Sequence, residues 1–182
     1  MPRVDLPASI QEAPAASQPL LQGVEKMLGS VPNLFRLTAT SPSALEGYLG
    51  LNGALASGSL NAQTRERIAL AVAEINGCDY CLAAHTYLGK NLAKLDDAEI
   101  SANRDGRSNN PQAHAAVRFA VKLVLQRGKV SAEDVSAVKA AGFSDAEVIE
   151  IVAHVALNTL TNYLNEAFDT PIDFPAVQSS AA

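Results

Sequence analysis

The chain has no tryptophan, five phenylalanines and four tyrosines in 182 residues, although 48% of it is hydrophobic. A β-sandwich core would draw on more aromatic and β-branched residues. The abundance of alanine instead suits closely packed helices. Basic clusters are also missing. With 14 Lys and Arg against 19 Asp and Glu, the net charge is −5, and no patch can neutralise a run of phosphates, so nucleic acid is not an expected partner. The longest apolar run, around Ile68–Ala73, is far too short to span a bilayer, so no membrane segment is expected. The opening MPRVDLPASIQEAP contains no apolar h-region, and the expected location is cytoplasmic. In that compartment the two cysteines of the chain are better suited to catalysis or metal binding than to a structural staple.

The length fits one domain with a substantial core. Residues 1–17 are rich in Pro, Ala and Ser without periodicity and read as an extended arm, suited to docking on a partner subunit. Helices are expected over 18–29, 32–39 and from Pro42, capped by Ser41, to about Ala56. Asn61 caps a strong helix, AQTRERIALAVAEI, that ends at Asn76-Gly77. Another runs from about Cys78 towards Leu92, then one at Asp96–Asn103, a polar loop RDGRSNN, and one from Pro111 to Gln126. Ser131 caps the next. Ser144 and Glu147 form a capping box that opens a long apolar helix to about Phe168. No strand is evident: the expectation is an all-α, single-domain helical bundle over 18–175, with a flexible tail at 176–182.

Both cysteines and one of the three histidines lie in GCDYCLAAH, Gly77–His85. On a helix, Cys78, Cys81 and His85 share one face, with Cys81 and His85 as i,i+4 neighbours. Cysteines at i,i+3 sit with α-carbons roughly 5–6 Å apart, within disulfide reach. Free N–H groups and the dipole at a helix start favour thiolate, and an adjacent imidazole adds to that. Glu66 falls among Ala69, Leu70 and Ala73 on the preceding helix, while Gln63, Arg67 and Glu74 form its polar wedge. A carboxylate against apolar neighbours needs a partner. A tight hairpin would bring it to His85 or to a cysteine as proton acceptor. Arg65 falls on the apolar side as well, which the wheel does not explain. A metal knuckle remains open, although zinc wants four ligands and no second CxxC or HxxxH is present; an inert buried thiol pair is the remaining alternative.

The pattern Glu66, eleven residues, Cys78, two, Cys81, three, His85 resembles the carboxymuconolactone decarboxylase/alkylhydroperoxidase D superfamily, in particular its peroxidase-related branch. The flanks VPNLFRLTATSPSALEGYL (31–49), RERIALAVAEINGCDYC (65–81) and NEAFDTPIDFP (165–175) are similar to that branch too, and the likeness spans about 20–175. The resemblance implies a helical fold and peroxide reduction without a prosthetic group. It implies Cys81 as the thiolate that attacks a small-molecule hydroperoxide, Cys78 as the thiol that resolves it, and Glu66 and His85 as a proton relay. It further implies a thiol reductant, such as a lipoyl-carrying or thioredoxin-like protein, and a homo-oligomer sharing the long C-terminal helix. Decarboxylation is disfavoured, because the decarboxylase members lack the cysteine pair. One departure stands out: Tyr80 occupies the place where the best-known member has a second histidine. A thiol–disulfide oxidoreductase or redox sensor would use the same dithiol. His154, with Asn158, Asn162 and Asn165 on one helix, reads as a hydrogen-bond network of the core or interface, and His114 as exposed.

Overall fold

A computed structural model describes residues 2–180, and among them every regular element is helical. The N-terminal segment carries a single 3-10 turn at Ile10–Glu12. Residues 2–17 pack on their own chain. Ala13 is buried, the Arg3 amide donates to the Phe168 carbonyl at 2.9 Å, and its guanidinium donates to the carbonyls of Glu166 and Ala167. A cation placed at a helix C-terminus is where the dipole favours it.

Helices α1 (Gln18–Leu28), α2 (Asn33–Thr38) and α3 (Pro42–Ala56) follow. Pro42 sits in the first turn of α3, and Ser41 Oγ accepts from Ala44 N. The next element, α4 (Ala62–Ile75), is the centre of the molecule. It packs on α5 (Asp79–Asn91), α6 (Asp97–Arg104), α7 (Pro111–Leu125) and α9 (Asp145–Phe168), and α8 (Ala132–Ala140) closes against α7 and α9. Residues Ile68 through Glu74 are therefore buried in succession, on every side of the helix.

That burial corrects the expected polar wedge of α4. Arg67 donates to Glu99 at 2.6 Å and Arg104 donates to Glu74 at 2.7 Å, so both wedge charges are ion-paired beneath neighbouring elements. Glu99 also accepts from Ser108, Asn103 and the Asn109 amide; burial opposes its ionisation, but these donors win and hold the carboxyl down near 2. His114 is half-buried rather than exposed, and its Nδ1 accepts from Ser108 N at 3.3 Å.

Gly77 makes the α4–α5 link short. At φ 67 it adopts a left-handed conformation that lets the chain reverse within one turn. Helices α8 and α9 both start with capping boxes, Ser131 with Asp134 and Ser144 with Glu147. After α9 the chain runs back across the bundle in extended form. Asp173 accepts from Asn33 N at 2.7 Å, Phe174 meets Tyr80 edge-on with centroids 5.8 Å apart, and Ser179 N donates to Asp79 at 2.7 Å. Residues 176–180, expected to be flexible, are thus tied to the start of α5, with Ser180 on Glu74; residues 181–182 lie outside the described residues. No helix among the described residues is long and apolar enough to cross a membrane.

Candidate active site

The short α4–α5 link determines the site. It sets Cys78 as the N-cap of α5, one residue before the helix proper, with Sγ accepting from Cys81 N at 3.4 Å. Cys81 then falls in the first turn and His85 one turn further on. Both thiols are free and buried, with Cys81 at 3% exposure. On the facing side of α4, Glu66 reaches across the hairpin, and its Oε2 lies 2.8 Å from His85 Nδ1. A carboxylate accepts only, so Nδ1 carries the proton. The sequence left Glu66 to reach His85 or a cysteine; the contact it makes is with His85, directly.

The two sulfurs are unequal. Cys81 is pulled down to about 6, first because the Cys78 thiol donates a hydrogen bond to it. Burial opposes this, but the nearby His85 charge and the Asn165 amide, whose Nδ2 lies 3.2 Å from Sγ, favour the thiolate further. Asn162 adds to this at longer range, held in place by Asn76, which donates to its Oδ1 at 2.8 Å. The donor role and burial push Cys78 well above the ordinary thiol range. For His85, burial works against protonation, yet the Glu66 carboxylate and the Cys81 thiolate outweigh it and raise the imidazole above its usual value. At neutral pH the site therefore favours a thiolate at Cys81 beside a thiol at Cys78, with His85 shifted towards its charged form.

A cavity of about 120 Å³ leads to Cys81, walled by Leu34, Tyr48, Ala69, His85, Leu157 and Thr161 among others. Tyr48 was not singled out from sequence. It stays protonated, raised first by burial and then by the Cys81 charge. Tyr80, between the cysteines, turns its hydroxyl away towards α2. It accepts there from Leu34 N at 3.1 Å and bonds Asp173, so it also ties α2 and the C-terminal segment to the start of α5. His154 lines the same cavity near Arg65 and Glu66, with Nε2 buried and without a partner. No group of three or more His, Cys, Asp or Glu among the described residues is arranged to hold a metal ion.

Residues 42–122, which contain Glu66, both cysteines and His85, match the model of the carboxymuconolactone decarboxylase family. An alkylhydroperoxidase AhpD core structure, an uncharacterized peroxidase-related protein from Ralstonia eutropha JMP134, superposes with a TM-score of 0.84 at 24% identity, covering 94% of this chain and 92% of that one. A peroxidase-related protein from Silicibacter sp. TM1040 gives 0.80 at 23% identity over 93% and 91% of the two chains. The debrominase Bmp8, as a cysteine-to-alanine variant in complex with 2,3,4-tribromopyrrole, gives 0.76 at 22% identity over 92% and 90%. No curated protein matches the chain. The match to the family model thus covers the segment that holds the site, and the fold of the chain is that of the alkylhydroperoxidase D-like structures.

Proposed function

We propose that the chain is a cysteine-based peroxidase, reducing hydrogen peroxide or organic hydroperoxides in antioxidant defence. One observation carries the reading: of two neighbouring sulfurs, the one facing the cavity is held as thiolate by the other. The Cys81 sulfur attacks the terminal oxygen of the hydroperoxide. An S–O bond forms, the O–O bond breaks, and the departing alkoxide or hydroxide takes a proton from the His85 imidazolium. Glu66 holds that imidazole by Nδ1 and stabilises its charge. The Cys78 sulfur then attacks the sulfenic sulfur, forming the disulfide and releasing water. A dithiol reductant, lipoyl or thioredoxin-like in kind, returns both thiols by exchange.

Rapid mixing of the reduced chain with hydrogen peroxide tests this directly. Oxidation should far outpace that of free cysteine, with Cys81→Ser inert and Cys78→Ser stopping at a sulfenic acid. A rate no greater than that of free cysteine sinks the reading. The same unequal pair supports a second one, a thiol–disulfide oxidoreductase, which would exchange rapidly with protein disulfides but ignore peroxide. Tribromopyrrole, the ligand of the Bmp8 complex, belongs in the same assay: attack of the Cys81 thiolate on bromine would form S–Br as C–Br breaks and carbon takes a proton, and Cys78 would then displace bromide to give the disulfide.

Oligomerisation is part of the proposal. Ile149, Val152, Leu160 and Tyr163 stand out on one face of α9, the first and last at 68% and 63% exposure, with Ala156 between them. The three- and four-residue steps keep these residues on one helical face, as in a helix–helix seam, and a second copy of this chain is the proposed occupant.

A further inference from the structure

Arg65 has no part in the relay, yet it lies half-buried on the wall of the reaction cavity. Its Nη1 donates to the Leu60 carbonyl at 2.6 Å, and among the described residues it forms no ion pair. Both neighbouring carboxylates are already engaged. Glu66 is taken by His85, and Glu150 accepts from the amides of Ser59 and Leu60 at 2.9 and 3.0 Å. A partly desolvated guanidinium without a counter-ion is costly to keep. Beside it on the same wall is His154, 5% exposed, whose Nε2 is buried with no hydrogen-bond partner. Burial and the Arg65 charge hold this imidazole down near 4, so it is neutral at physiological pH. One end of the cavity therefore offers a free cation and an unsatisfied neutral imidazole.

The reacting sulfur is at the other end. Cys81 bonds Asn165, near the end of α9, whereas the cavity wall on α9 runs from Thr161 back to His154. From His154 to Thr161 is seven residue steps, about 10 Å of helix axis, and Asn165 lies one further turn on. The geometry points to an anion subsite at Arg65 and His154 that takes the carboxylate of a substrate whose hydroperoxide reaches Cys81. A guanidinium fork matches a planar carboxylate in two parallel bonds, which a lone ammonium would not. Hydrogen peroxide is too small to touch both ends, so a chain of several carbons with one terminal acid is the chemical class that fits. The class of reacting group rests on the peroxidase reading; the anion subsite itself does not.

Two measurements on the full chain separate these layers. In the first, the reduced protein is alkylated at Cys81 by iodoacetamide in the presence of hexanoate or of hexanamide, neither of which bears a peroxide. Hexanoate should protect more strongly, on the order of tenfold in the concentration needed. Arg65→Gln should bring the two ligands together, and Arg65→Lys should retain part of the difference. His154→Gln supplies a second variant whose preference should weaken. In the second, the oxidation rates by ω-hydroperoxyhexanoate and by its methyl ester are compared, and the acid should lead by a similar factor in the unmodified chain only. Equal protection by acid and amide overturns the subsite, as does a preference that survives Arg65→Gln. If hexanoate protects selectively but no peroxide is consumed, the subsite stands and the peroxidase reading falls.

Discussion

Replacing Cys78 with alanine removes the hydrogen bond that contributes most to holding Cys81 as thiolate. With the Cys81 thiol near 6, thiolate outnumbers thiol by roughly tenfold at pH 7; at an ordinary value near 9 the ratio reverses to roughly one in a hundred. One charge-assisted hydrogen bond amounts to about 1.5–3 kcal/mol, or roughly one to two pH units in the midpoint. Cys78→Ala should therefore move the Cys81 midpoint upward by at least a unit and cut the thiolate present at pH 7 to about half or less. Alkylation by iodoacetamide, followed site by site in a mass spectrometer across the pH range, gives that midpoint. Cys78→Ser keeps a donor at the N-cap and should hold the midpoint low, which separates the hydrogen bond from the sulfur as such. An unchanged midpoint in Cys78→Ala, or a wild-type midpoint near that of a free thiol, refutes the reasoning.

Asn165→Leu removes the amide that lies 3.2 Å from Cys81 Sγ and should slow oxidation by peroxide roughly tenfold at pH 7, with part of the loss recovered at higher pH, as stopped-flow traces would show. Glu66→Gln should lower the His85 midpoint in an NMR titration, because the carboxylate is what raises it against burial. Because the folded value is raised, that pairing stabilises the fold most below the unfolded midpoint, near 6.5, and its contribution fades as pH rises through the higher folded value. Melting temperatures of wild type and Glu66→Gln should thus differ more at pH 6 than at pH 9. Tyr80→Phe leaves the Leu34 amide without its acceptor and should cost about 1 kcal/mol in urea unfolding without moving the Cys81 midpoint. Tyr163→Arg, in the exposed stripe of α9, should reduce the molar mass seen by sedimentation; an unchanged mass would remove that face from the interface.

Helix order was legible because capping residues and proline mark boundaries locally: Ser41, Asn61, Ser131 and Ser144 all cap where the sequence placed them. The Glu66–His85 contact was legible for a related reason, since a one-glycine link leaves a hairpin few ways to close. What escaped depends on elements distant in sequence. The periodicity of α4 sets Arg67 and Glu74 on a polar face, but nothing local says that α6 will cover that face with Glu99 and Arg104. Asn165 was visible as a polar residue on an apolar helix, yet its aim at Cys81 spans 84 positions. Tyr80 was placed between the cysteines, although its hydroxyl serves α2, which only the folded chain brings near. The tail has contacts of the same distant kind. Its composition favours disorder, whereas Asp79 and Glu74 supply acceptors that pin it.

That pinned tail gives the CxxC turn two sides with different access. Cys81 opens to the cavity, while Cys78 is fully buried and does not line it; both lie in the apolar cluster that Phe174 and Val177 pack against. Oxidant and reductant then need not share an entrance. On the proposed cycle a small peroxide would reach Cys81 through the cavity, whereas a protein thiol bound for Cys78 would meet residues 174–180 first. In the proposed cycle residues 174–180 would then stand between the two half-reactions, as a latch on recycling rather than on oxidation.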